Sequence, residues 1–481
     1  MREIDILIER GLVMTMNPQR KIIENASIAI ESDHIVDVGN SDELSKKYPH
    51  PKRVINAKNK LVMPGLINTH IHLIGFPVMK GIRPGNYGYG NPYLQRLYTI
   101  LDNDYWNEEV YYLSGLLNCI EMIKSGTTSA VDCGTSVGSE EMAVKLITES
   151  GMRAVLALET MDIFDKPGYY IAERRRKRFG STQENIDRTQ KLIDKYHGAA
   201  GGRIYIWTSV MQVMNSSDDL IKGLKRLRDK YRVGMTIHAN VMRPMTEVVE
   251  KAWGKPDTER LGEVGVLGPD CLLAHACDLN GREVMMVRDT HTNLSHNIFT
   301  SMNLCYGAGL FGRFPQWLEM GINIGLGTDD QCCSNHMDMF RAMNGTFLVH
   351  KEVQFDSNLW PPQAVLEMAT LNGAKCMMLE NQIGSIEVGK KADMILIDLM
   401  NPEWVPWHRY NLIENLVLSA TGASVDTSII NGKIVMEKRE IKTFNEKEVL
   451  EKIQSNIHKL VEKLDFCSPD RPYPENLPPL W

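Results

Sequence analysis

At 481 residues and 43% hydrophobic content, the chain is too long for one small domain and apolar enough to bury a large core. A formal net charge of −6 and a pI near 6.1 exclude the basic footprint of a nucleic-acid or anionic-membrane partner, and the one basic cluster, Arg174 to Arg178, reads as a solvated helix face. Nine cysteines without metal-finger spacing, a charged N-terminus lacking an apolar h-region, and no apolar run of ~18 residues point to a cytoplasmic protein with free thiols and no membrane span.

Residues 1–60 read as short strands, among them Asp5 to Glu9 and Ala26 to Glu31, with the Asn17-Pro18 turn between them. The run Leu61 to Leu73 is apolar, turns at Pro64-Gly65 and ends in His70-Ile71-His72. Helical segments follow at Glu108 to Ser125, Gln183 to His197 and Ser217 to Tyr231. Among them lie short apolar strands at Thr127 to Asp132, Arg153 to Leu158, Arg203 to Trp207, Gly234 to His238, Cys271 to His275, Thr292 to His296 and Ile322 to Gly327. With the His-x-His strand these make eight, and regular βα alternation in eight units argues an α/β fold, a closed (β/α)8 TIM-like barrel over residues 61–383. The stretch 165–182 is a charged insertion.

Residues 384–440 return to strands: Ala392 to Asp398, then a hairpin over Ser428 to Met436 with Asn431-Gly432 at its turn. Both strand-rich ends are expected to pair into a small β-sandwich domain, 1–60 with 384–440. Residues 441–481 read as a helix from Glu446 and a Pro-rich tail, with too little core of its own, expected to lie against the body or a neighbouring subunit.

Residues i and i+2 of a strand share a face, so His70 and His72 can grip one ion. Polar groups recur at the carboxyl ends of later strands, where barrel active sites sit: His238, His275, His296 and Asp329. A lone strand-end histidine is more often a satisfied polar residue than a ligand, and Asp329 alone could be an N-cap. Their conjunction at one mouth carries the weight. Imidazoles plus a carboxylate suit Zn²⁺ first, with Fe²⁺, Co²⁺ or Mn²⁺ as other divalent candidates.

Pro64 to His72, Leu273-Ala274-His275, Gly327-Thr328-Asp329 and Ile383 to Asp393 together resemble the amidohydrolase superfamily, in its cytosine-deaminase and triazine-hydrolase branch. The resemblance implies that His70, His72, His238 and Asp329 hold one metal ion that activates a water. It implies that Asp329 accepts the water's proton and passes it to the leaving group, and that His275 polarises the electrophilic carbon's substituent. More loosely, His296, Asn240, Thr300 and Ser301 become candidate substrate contacts, with a small molecule as the partner. Relatives are commonly oligomeric, so a homo-oligomer is expected.

One departure bears on the chemistry. The deaminase branch carries a glutamate three residues after the strand-five histidine; here that position is Val241. Such a glutamate protonates a ring nitrogen as water adds to the adjacent carbon, and losing an acid/base group costs ~10²–10⁴ in rate. Glu247 could replace it only along a different loop path. The residues therefore favour hydrolysis of a C–N bond of amide, urea or carbamate type over the alternative, deamination or dechlorination of an N-heterocycle such as a purine, pyrimidine, pterin or s-triazine. A non-catalytic scaffold ranks last, because every predicted ligand is present. The Gly- and Tyr-rich loop 79–93 suits either an aromatic lid or a plain surface loop.

Overall fold

The structure is a computed structural model that describes residues 3–75, 80, 108–165 and 173–464. Among these residues the strands form two sheets. In the first, β1 (Ile6–Met14), β2 (Ile22–Glu31), β3 (His34–Asn40), β4 (Arg53–Asn56) and β5 (Lys60–Pro64) come from the start of the chain. The second holds eight parallel strands: β6 (Leu66–Ile71), β7 (Thr127–Thr135), β8 (Arg153–Leu158), β9 (Ile204–Val210), β10 (Met235–Ala239), β11 (Cys271–His275), β12 (Asn293–His296) and β13 (Ile324–Leu326), in that order. The chain then returns to the first sheet with β14 (Met394–Asp398), β15 (Val425–Ile430), β16 (Lys433–Glu437) and β17 (Glu440–Ile441).

The two ends of the chain meet at β5. It pairs parallel with β1 on one side and antiparallel with β14 on the other. Gly65 is the switch between sheets: its N–H bonds the Asp393 carbonyl at 3.1 Å, while the N–H of Leu66 bonds the Gly126 carbonyl at 2.9 Å beside the barrel. A Cβ at Gly65 would collide with the Thr128 side chain, so only glycine brings the chain this close. The apolar run Leu61 to Leu73 is thus two strands in two sheets.

Short buried apolar strands alternate with longer helices, and only a sheet covered on its outer face buries such strands completely. The eight strands curl nearly to closure, with β13 beside β6. The seam is pinned by side chains and backbone. Asn68 donates to the Thr328 hydroxyl at 2.7 Å, Asn68 Oδ1 accepts from the Thr328 N–H at 3.1 Å, and the N–H of Asp329 donates to the His70 carbonyl at 2.8 Å. Closure of the barrel is therefore what sets Asp329 beside His70.

The helix Glu446–Leu464 follows the first sheet, and no helix of the described residues is long and apolar enough to cross a membrane. The loop 79–93 apart from Lys80, residues 166–172 of the charged insertion and the Pro-rich tail beyond Leu464 lie outside the described residues.

Candidate metal and active site

Five side chains converge at the carboxyl ends of β6, β10, β11 and β13. Nε2 of His70 and Nε2 of His72 lie 3.5 and 3.4 Å from Oδ1 of Asp329, and Nε2 of His275 lies 3.7 Å from Oδ2. The rings of His70 and His238 are 4.8 Å apart, and those of His238 and His275 are 5.4 Å apart. Metal bonds of about 2.0–2.2 Å to nitrogen and oxygen at tetrahedral angles give an N···O edge of about 3.4 Å. His70 is fully buried, and neither of its ring nitrogens has a hydrogen-bond partner. A buried orphaned imidazole is costly unless a cation completes it. The donors present therefore fit a divalent ion.

The protonation states suit ligation. Burial holds His70 below the ordinary histidine range; burial and then the neighbouring rings of His70, His275 and His72 push His238 well below it. Burial takes His275 down to about 3. Burial alone would raise Asp329, but His70, His275 and His72 around it outweigh burial and hold it well below the usual carboxylate range. Neutral imidazoles and an ionised carboxylate are the forms that bind metal.

Backbone strain gathers at the same mouth. Asn240, His275, Ala276 and Asp329 have φ of 47°, 74°, 49° and 64°. Each such non-glycine residue costs on the order of 1–3 kcal/mol. The conformations are held by the Ala276 N–H on the Ala239 carbonyl (3.1 Å) and the Asp278 N–H on the Asn240 carbonyl (3.1 Å), besides the Asp329–His70 bond. Asp132 anchors the chain after His72: it accepts from the N–H groups of Leu73 and Gly134, both at 3.3 Å, and from the Thr135 hydroxyl.

The remaining sequence candidates are each hydrogen-bonded or packed within the protein. Asn240 donates to Glu283 at 2.9 Å and accepts from the Thr258 hydroxyl at 2.6 Å, which commits its amide to a buried network. His296 sets Nε2 3.1 Å from Nε2 of His350 and lies over Phe314, with ring centroids 3.9 Å apart. Thr300 donates to the Thr328 carbonyl at 3.4 Å, and Ser301 accepts from the Ala308 N–H at 2.8 Å. All four are buried and engaged within the protein. Val241 is buried in the apolar core. Glu247 does not reach the mouth by a bulge: it sits on the helix Arg243–Trp253, half-exposed and paired with Arg243 at 3.3 Å.

Three neighbours of the cluster escaped the sequence reading. Asn297 contacts Nδ1 of His275 at 3.2 Å, and Tyr306 sets its ring edge-on to His275 at 5.4 Å. Cys133 on β7 lies 3.4 Å from Nδ1 of His238. Asn297 had a usable signal, since it directly follows a strand-end histidine; the other two had none.

A profile described as the amidohydrolase family matches residues 61–435. The chain is 31% identical over 466 residues to a 5-methylthioadenosine/S-adenosylhomocysteine deaminase of Thermoanaerobacter pseudethanolicus, covering 96% of this chain and 100% of the relative. It is 30% identical over 467 residues to a 5'-deoxyadenosine deaminase of Methanosarcina acetivorans, covering 95% and 99%. Its fold is similar to that of an adenosine deaminase from Xanthomonas campestris with bound zinc (TM-score 0.85, 21% identity, 96% of this chain and 99% of the other). It is similar too to the atrazine chlorohydrolase of Arthrobacter aurescens complexed with zinc (TM-score 0.83, 21% identity, 94% and 100%).

Proposed function

The chain belongs to the amidohydrolase family, and on that footing we propose that it is a zinc-dependent aminohydrolase removing the exocyclic amino group of an adenine nucleoside altered at its 5' position. The substrate class rests on the full-length relatives named for 5-methylthioadenosine, S-adenosylhomocysteine and 5'-deoxyadenosine. The reaction type rests on one observation above all: His70, His72 and His275 each direct Nε2 at the single carboxylate of Asp329.

His70, His72, His238 and Asp329 would hold the ion. When bound, a divalent ion supplies Lewis-acid activation of a water at neutral pH. Asp329, ionised in this setting, is the base that takes the water's proton and returns it to the departing nitrogen. His275 presents Nε2 beside Asp329 and donates a hydrogen bond to the attacking or developing oxygen. His70, His238, His275 and Asp329 are buried, which strengthens each of these contacts. The products are ammonia and the corresponding hydroxy (oxo) heterocycle.

Val241 favours a second reading. An apolar side chain stands where relatives in the deaminase branch place a ring protonator, which suits an amide, urea or carbamate whose carbonyl needs no ring protonation. Zinc-loaded enzyme assayed side by side separates the two. Ammonia release from 5'-methylthioadenosine and 5'-deoxyadenosine is the expected result. Amine release confined to anilides, arylureas and carbamates would replace the deaminase reading with the second.

The proposal extends to a cytoplasmic homo-oligomer. The eight described cysteines are all free thiols, which supports a reducing compartment. Light scattering tests the assembly.

A further inference from the structure

One sulfur stands among the nitrogen and oxygen donors of the mouth. Cys133 is fully buried near the end of β7. Its Sγ lies 3.4 Å from Nδ1 and 3.8 Å from Nε2 of His238. The donor atoms of His70, Cys133 and His238 all fall within 4.8 Å of one another, as do those of His70, His72 and Asp329. His70 is common to both groups and links them.

Two observations bear independently on what the sulfur does. Metal bonds of about 2.3 Å to sulfur and about 2.0–2.1 Å to imidazole at tetrahedral angles give an S···N edge of about 3.6 Å, and either nitrogen of His238 lies near that separation from Sγ, Nδ1 at 3.4 Å or Nε2 at 3.8 Å. The second is His70, whose ring nitrogens are both buried and without hydrogen bonds. A thiol that only hydrogen-bonded His238 would leave His70 as it is; an ion between them gives a His70 nitrogen a partner as well.

We propose that Cys133 is a sulfur ligand of the metal, on the side of the cluster formed by His70 and His238. Binding deprotonates the thiol: one S–H bond breaks, one S–metal bond forms, and the proton leaves to solvent. A thiolate makes the site softer than three imidazoles and a carboxylate alone, so it selects Zn²⁺ or Cd²⁺ over Mn²⁺. The inference rests on the metallohydrolase reading only in requiring that an ion binds; it is silent about substrate.

The test is X-ray absorption at the zinc edge of the full-length, zinc-loaded protein. The expected spectrum contains a sulfur scatterer at about 2.3 Å beside the lighter shell at about 2.0–2.1 Å. In Cys133→Ser that scatterer disappears, and competition between Zn²⁺ and Mn²⁺, read as bound metal, moves towards Mn²⁺ by about tenfold or more. A fully loaded wild-type protein with only nitrogen and oxygen neighbours overturns the proposal and leaves the metallohydrolase reading standing. Persistence of the sulfur scatterer in Cys133→Ser also overturns it. Failure of the wild-type protein to bind zinc at all overturns both readings. The wild-type spectrum decides the matter even where the variant folds poorly.

Discussion

The side-chain amide of Asn297 sits 3.2 Å from Nδ1 of His275, and its other end accepts from the Ser295 hydroxyl at 3.1 Å. The amide presents its NH2 to the imidazole, which makes Nδ1 an acceptor and puts the ring proton on Nε2, 3.7 Å from Oδ2 of Asp329. Asn297 thus positions His275 as a donor at the reacting centre. Asn297→Ala is expected to lower kcat by about 10- to 100-fold, the usual scale for groups that orient a site. Asn297→Asp keeps the shape but turns the donor into an acceptor, so its loss should be at least as large. Steady-state kinetics on both variants check this; equal activity in all three proteins would remove the positioning role.

Removing the ion should silence the enzyme. The ligands we assign come from the carboxyl ends of β6 and β10 and from the closing seam after β13, so His70→Ala and Asp329→Asn are expected to lose bound zinc or activity by at least ~10². Zinc returned to chelator-treated wild-type enzyme should restore activity and raise its melting temperature, because a ligand that binds only the folded state stabilises it. Metal analysis with thermal melting reads both effects.

Val241→Glu tests the missing acid. Val241 is buried at 4% exposure, so a glutamate there is desolvated and its pKa raised, the condition under which a carboxylic acid delivers a proton near neutrality. Ammonia release from the adenine nucleosides is expected to rise, by up to ~10²-fold, while Val241→Gln does not raise it. A fall in both variants with unchanged folding would show that proton delivery is already complete without this position.

Arg153 and Asp393 tie the barrel to the first sheet. Nε of Arg153 donates to Oδ2 at 2.7 Å and Nη2 to Oδ1 at 3.0 Å, while Nη2 also reaches Oδ1 of Asn431 at 2.9 Å. Both side chains are buried. Removing one partner strands the other charge, so Arg153→Ala or Asp393→Ala should each cost about 3–5 kcal/mol in urea unfolding. The double replacement by apolar residues should cost less than the two single changes added together.

Asp257 supplies a pH signature of stability. Burial, opposed by a hydrogen bond from the Asn240 backbone and reinforced by Glu283, raises its carboxyl to about 7. The folded protein therefore keeps a proton that the unfolded chain releases above the ordinary aspartate value of 3.8. Its stabilising contribution is complete below that value, falls as pH rises, and is gone above about 7. Asp257→Asn should flatten the loss of stability across this window, measured as unfolding free energy against pH. An unchanged slope would show that the carboxyl ionises normally in the fold.

The strands and the metal-ligand candidates were legible because their signals are local. Arg153 to Leu158 and Cys271 to His275 were bounded as the structure has them, since an apolar run between turn residues is read within a few positions. His70 and His72 share a face by the period of a strand, and the barrel rule places strand ends at one mouth. What the fold alone decided is which side chains meet there. Asn297, not its neighbour His296, touches His275, and Asn240 turns into a buried network with Thr258 and Glu283. Cys133 meets His238 across 105 positions and Arg153 meets Asp393 across 240. Contacts of that separation leave no periodicity or spacing in a single sequence, because they exist only once strand register and barrel closure have fixed the direction of each side chain.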